Sequence, residues 1–183
     1  MTLADPSQLS SFSPWSKLLK PSHRTRPEQV VGFGIFFSIC LGMEWLNGWL
    51  VQFSFSHPWF QNFLKTRWIF PDQVYILIAT ACFWFWSFAI WSLWRRNSLR
   101  ILKLEVSLFF SQFVFLIFWT ISLFVFQEML VALVAIVLLW FNILLAALLF
   151  WKKERFSGQL LLFPFVWIFY AMGLNMVICI SNS

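Results

Sequence analysis

Charge is what this sequence has least of. Of 183 residues only 11% are Asp, Glu, Lys or Arg, where a soluble domain carries about 25%. A chain that is 61% hydrophobic and so poor in charge cannot cover a soluble globule, and it is too apolar to be disordered. Cysteine is also scarce. Cys40, Cys82 and Cys179 each sit inside an apolar run, without CxxC spacing and without a nearby histidine. A disulfide framework or a metal site is therefore not expected, and the thiols read as small core hydrophobes. His23 and His57 lie outside the apolar runs and have no ligand-spaced partners. Nothing pairs a nucleophile with a base or sets two carboxylates together, and Gly32-Phe33-Gly34 is no dinucleotide fingerprint. A hydrolase or a kinase fails for want of residues. Residues 1–29 hold Pro, Ser and charges but no apolar h-region, so no cleavable signal peptide is expected.

Long apolar runs are what the sequence has in place of charge. A membrane-crossing helix needs about 20 mostly apolar residues. Runs of that length fall at about 30–51, 72–94, 101–126, 129–151 and 158–180. Unpaired backbone groups are too costly in lipid for anything but helices or closed barrels, and the alternation of a barrel is absent. The expected fold is an all-α membrane protein, a five-helix bundle over residues 30–181 behind a polar, basic tail at 1–29. The first connection, 52–71, is long and mixed, unlike the short breaks that follow. The net charge of +6 does not form a nucleic-acid-binding face. All 13 basic residues except Lys65 and Arg67 fall in the N-terminal tail, the second connection or the fourth. The positive-inside rule then places the N-terminus in the cytoplasm and the C-terminus outside. Trp45, Trp49, Trp94 and Trp151 lie near helix ends, where interfacial belts form.

A few polar residues interrupt the runs. Glu44 is the one acid well inside a span, with Asn47 three residues on. Intramembrane carboxylates face a cavity or a partner, or else snorkel to the interface. In the third run Leu108, Gln112, Leu116 and Trp119 share one helical face, and Gln112 needs a hydrogen-bond partner from a helix or a ligand. In the fifth, Trp167, Ala171 and Asn175 make a stripe, and Pro164 is expected to bend the helix.

Three blocks occur in order. The first is Trp59-Phe60-x-x-Phe63-x-Lys65-Thr66-x-Trp68-x-Phe70-Pro71. The second is Leu108-Phe109-x-x-Gln112-Phe113-x-Phe115-Leu116-x-x-Trp119, followed by Leu123-Phe124. The third is Leu161-Leu162-Phe163-Pro164-Phe165 with Trp167, Ala171 and Leu174-Asn175. On a five-span chain with 13 tryptophans these blocks resemble the TspO/MBR family, the tryptophan-rich sensory proteins similar to the mitochondrial translocator protein. Trp59, Lys65, Trp68 and Pro71 match the family's first block outright, and Phe83 stands at a family tyrosine. The resemblance covers roughly residues 30–180.

That resemblance implies a five-helix bundle with a pocket beneath the first loop. It implies a tetrapyrrole ligand such as protoporphyrin IX, or a similar hydrophobic aromatic or sterol ligand. By position, Phe60, Phe83, Gln112, Trp119, Trp167 and Ala171 would line the pocket, with Asn175 on the same stripe and Lys65, Arg67 and Trp68 at its mouth. Flat macrocycles stack on aromatic faces, and basic residues pair with propionates. The departures are equally specific. Ala79 stands at a family tryptophan, Leu116 at an asparagine, Ala135 at an aspartate and Phe70 at a proline, while Trp84 and Trp86 are candidates to refill the space at Ala79. The family's light-driven porphyrin degradation is assigned to pocket tryptophans, so Ala79 argues against that activity. The expected function is a membrane receptor or binding protein with a sensing, buffering or transport role, not an enzyme. The alternatives are a light-dependent porphyrin-degrading enzyme and a ligand-free structural subunit. No cofactor is required beyond a bound porphyrin. The expected partners are the lipid bilayer, of a bacterial inner membrane, and a hydrophobic small molecule. The resemblance also implies a homodimer, and small residues such as Ser38-x-x-x-Gly42 are candidates for helix packing or for dimerisation.

Overall fold

A computed structural model describes residues 24–54 and 72–181, and all the regular structure among them is helical. The elements are α1 (Arg26–Ser54), α2 (Asp72–Arg96), α3 (Lys103–Thr120), α4 (Met129–Lys153), α5 (Arg155–Leu160) and α6 (Leu162–Ser181). Five segments are long and apolar enough to cross a membrane: α1, α2, α3 with the turn that follows it, α4, and α5 with most of α6. Large apolar side chains such as Val134, Leu145, Val166 and Phe169 point outward. That surface is untenable in water and ordinary in lipid, so this is an integral membrane protein.

The helix ends show local physics that hydropathy alone does not. α1 starts at Arg26, four residues before the apolar run, because Glu28 accepts a hydrogen bond from the Thr25 N–H at 2.9 Å. An acceptor there satisfies an orphan donor of the first turn. α2 ends on Arg95 and Arg96, which suit the negative end of a helix, and Asn97 donates back to the Leu93 carbonyl at 3.0 Å. α3 runs on through a π-helical turn, Ile121–Val125, and the chain reverses at Gln127 with φ 60°. In the fifth span the break lies at Leu161, three residues before Pro164, where the Leu161 N–H bonds the Gly158 carbonyl at 3.2 Å. Pro164 itself falls in the first turn of α6, where a missing N–H costs nothing. The helix is thus interrupted at the Leu161 turn rather than at the proline.

The spans close into a ring. α1 packs on α2, α2 on α5 and α6, α6 on α4, α4 on α3, and α3 with its π turn back on α1. The core between them is mostly aliphatic and aromatic: Phe83, Trp86, Ile90 and Leu93 of α2, Phe109 and Phe113 of α3, Ile136, Leu139 and Ile143 of α4, and Ile168 of α6. Two glycines permit close approaches. A Cβ on Gly32 would run into the Trp94 ring, and a Cβ on Gly158 would lie 2.8 Å from the backbone of Trp151.

The basic end is knitted together. Glu154, between α4 and α5, is buried; it pairs with Arg96 at 3.1 Å and accepts from Ser92 and Ser157, each at 2.9 Å. Lys153 reaches Glu105 at 2.7 Å and the Ile101 carbonyl at 2.8 Å. Arg24 lies 3.4 Å from the centroid of Trp94, so Trp94 is a packing surface, whereas Trp45, Trp49 and Trp151 are exposed as a belt requires. Desolvation there draws the Arg24 guanidinium below its ordinary value, with Glu28 acting the other way. Guanidinium starts so high that it stays charged.

Candidate ligand cavity

α2 turns one stripe of side chains inward: Tyr75, Ala79, Cys82, Phe83 and Trp86. These positions recur at three- and four-residue steps over about 16 Å of helix. α1 adds Asn47, α3 adds Leu116 and Trp119, and α6 adds Trp167, Ile168 and Ala171. Together they enclose a cavity of about 40 Å³. Packed aromatic rings make up much of the wall. Tyr75 and Trp167 pack with centroids 5.3 Å apart, and Phe83 lies 5.3 Å from Trp86 and 6.4 Å from Phe113 in parallel. No Asp, Glu, His, Lys or Arg is among the described lining residues.

The polar groups around the cavity are neutral. Asn47 accepts from Thr120 Oγ1 at 2.6 Å, and Thr120 also bonds the Leu116 carbonyl at 3.0 Å. That clamp ties α1 to the start of the π turn, beside Trp119. The indole N–H groups of Trp86 and Trp119 have no hydrogen-bond partner among the described residues.

Of the residues singled out from sequence, Phe83, Trp119, Trp167 and Ala171 meet in this cavity. Gln112 lies one turn from Leu116, fully buried, and neither amide atom has a partner among the described residues. It is not among the residues that line the cavity. Asn175 is buried one turn beyond Ala171, where it accepts a weak bond from the Cys179 thiol at 3.8 Å, and it does not line the cavity. Glu44 accepts a hydrogen bond from Thr80 of α2, so it braces α1 rather than facing the cavity. Phe60, Lys65, Arg67 and Trp68 lie outside the described residues, as does His57.

Trp86 settles which tryptophan approaches the space at Ala79. It lines the cavity, while Trp84 is exposed beside Phe37, at 5.7 Å between centroids. Tyr75, Cys82 and Ile168 were not legible as lining residues. The signal was present in the four-residue spacing of Tyr75, Ala79 and Phe83. It was drowned because α2 is apolar on every side, and periodicity marks a face only against a polar background.

A family profile described as the TspO/MBR family matches residues 36–180, which span every element of the cavity. The chain belongs to the TspO/MBR family. It is also similar to Tryptophan-rich protein TspO of Chlorobaculum tepidum, 27% identical over 160 residues that cover 85% of this chain and 98% of that one. In this TspO/MBR protein the departures at Ala79 and Leu116 lie in the cavity wall itself, so they change its size and polarity directly. Ala135 is buried on α4, outside the lining.

Proposed function

We propose that this protein is a membrane receptor or carrier for a tetrapyrrole, or for a similarly flat hydrophobic aromatic or sterol ligand. Its role is sensing, buffering or transport. The observation that carries the reading is the convergence of Phe83, Trp119, Trp167 and Ala171 from three helices on one uncharged aromatic cavity. Concave, mostly apolar sites with a few polar groups are the usual form of a small-molecule site. Drug-sized ligands occupy roughly 300–1,000 Å³, and the cavity is about 40 Å³. A macrocycle therefore enters only as the aromatic side chains turn and α1 moves outward. α1 is the least buried span, which makes it the cheapest to displace.

The setting we propose is a bacterial inner membrane with the basic end of the bundle in the cytoplasm. An Arg100→Cys variant in a Cys179→Ser background, labelled by an impermeant maleimide only in inside-out vesicles, supports that orientation; labelling in intact spheroplasts refutes it. The reading is one of binding, not turnover. Protoporphyrin IX titrated into purified protein should quench tryptophan fluorescence saturably at micromolar concentration, and Trp167→Phe should weaken binding. A folded protein with no saturable quenching would leave a structural subunit as the better account. Loss of the porphyrin spectrum under light in the parent protein but not in Trp167→Phe would show an enzyme instead.

A further inference from the structure

We infer that the cavity contains a neutral donor subsite for an oxygen acceptor on the ligand, a carbonyl, ester or carboxyl group, with Trp86 of α2 and Trp119 of α3 as the donors. This deepens the binding reading above and rests on it. Both side chains line the cavity and both are more than nine-tenths buried. Neither indole N–H has a hydrogen-bond partner among the described residues. Indole nitrogen can only donate, so each requires an acceptor, and buried polar groups are almost always paired. Two such donors on one small cavity ask for the same kind of group.

The remaining lining chemistry narrows the class. No charged side chain is among the described lining residues, so the subsite selects for hydrogen-bond acceptance and not for net charge. A ligand that presents only donors there leaves both indoles unpaired. The space, about 40 Å³, takes a carboxyl or acyl arm while the larger body of the ligand lies against the aromatic wall. Because the donors come from two helices, the acceptor fixes the orientation of the ligand as well as its affinity. Leu116, one turn before Trp119, brings no polar atom to the wall, and Ala79 leaves the approach to Trp86 short of bulk. Trp86 is thus a specificity-determining residue that the aromatic stripe alone did not reveal.

The test uses the full chain in lipid nanodiscs and three porphyrin probes. Protoporphyrin IX carries carboxyl groups, its dimethyl ester carries neutral carbonyls, and etioporphyrin carries only alkyl groups. The first two should bind about a hundredfold more tightly than etioporphyrin, about tenfold for each of two buried hydrogen bonds. Trp86→Phe and Trp119→Phe keep a ring and remove the N–H. Each should weaken the first two probes about tenfold and leave etioporphyrin unchanged. Should a variant fail to fold, indole ¹⁵N–¹H spectra of the parent protein decide. Two indole resonances should move downfield with the acceptor-bearing probes and stay in place with etioporphyrin. Equal affinity for all three porphyrins overturns the subsite and leaves the binding reading intact. Indole resonances that are already hydrogen-bonded in the free protein and do not move on binding also overturn it, because water then fills the role. No saturable binding of any porphyrin overturns both readings.

Discussion

At the scale of a single residue, Gln112 tests whether a buried amide holds the helices together. A buried amide that holds two helices together costs about 1–3 kcal/mol when its partner is left unpaired. Gln112 has no such partner among the described residues. Replacing it with leucine should therefore leave stability unchanged, or raise it by about 1 kcal/mol, because an unsatisfied group is removed. Thermal denaturation in detergent measures this, and a loss above about 2 kcal/mol would return Gln112 to the scaffold. Thr120 presents the opposite case. Its hydroxyl links Asn47 of α1 to the Leu116 carbonyl. Hydrogen bonds between membrane helices average about 0.6 kcal/mol and reach about 1.7. Thr120→Val should cost an amount in that range and loosen α1 at the cavity. The second effect is read as faster hydrogen exchange in α1 without a change in α4.

Glycines do unequal work among the elements. Gly158 lets α5 pass against α4, with its Cα facing the backbone of Trp151, which cannot rotate away. Gly158→Ala forces the two helices apart and should cost about 1–3 kcal/mol, the usual penalty for overpacking. Gly42 has open space around its Cα. Gly42→Ala should be neutral, or stabilising by up to about 1 kcal/mol through helix propensity. Melting temperatures of the two variants in the same detergent check the contrast. A comparable loss in Gly42→Ala would show that this face of α1 is covered, as a second copy would cover it. The Pro164 region teaches the same lesson. A proline was legible as a helix disturbance, but the break falls at Leu161, where the Gly158 carbonyl is captured first.

For the whole molecule, the ring of spans is held at its basic end by carboxylates that hydropathy reads only as loop charge. Glu154 joins α2 to α5 through Ser92, Ser157 and Arg96, and Lys153 joins α4 to α3 through Glu105. Charged hydrogen bonds contribute about 1.5–3 kcal/mol each. Glu154→Ala removes the acceptor for two buried hydroxyls and should cost about 3 kcal/mol, read as a lowered melting temperature with the cavity spectrum retained. A loss below about 1 kcal/mol would show that water replaces the carboxylate without penalty. At the other end, a ligand that binds only the folded state stabilises it by about 2.7 kcal/mol at one hundred times its dissociation constant. Protoporphyrin IX should therefore raise the melting temperature of the parent protein, and much less that of Trp167→Phe.

The five spans were legible because bilayer thickness imposes length and hydropathy on the sequence directly, one helix at a time. So was the family, through blocks whose order survives divergence. Phe83, Trp119, Trp167 and Ala171, with the departures at Ala79 and Leu116, were legible as cavity residues through that resemblance. The rest needed the tertiary structure. In α2, a helix apolar on all sides, sequence does not tell Trp84 from Trp86; packing against Phe113 and Phe37 sends one inward and the other to lipid. For Glu44 the sequence left a cavity, a partner and the interface all open, and only the fold supplies the partner, Thr80 of the neighbouring helix. Glu105 and Glu154, which the sequence did not single out, are buried where the helix ends close around them. Hydropathy is a property of each residue, and so it is written in the chain. Which face meets which neighbour depends on contacts between distant segments, and those exist only once the ring has closed.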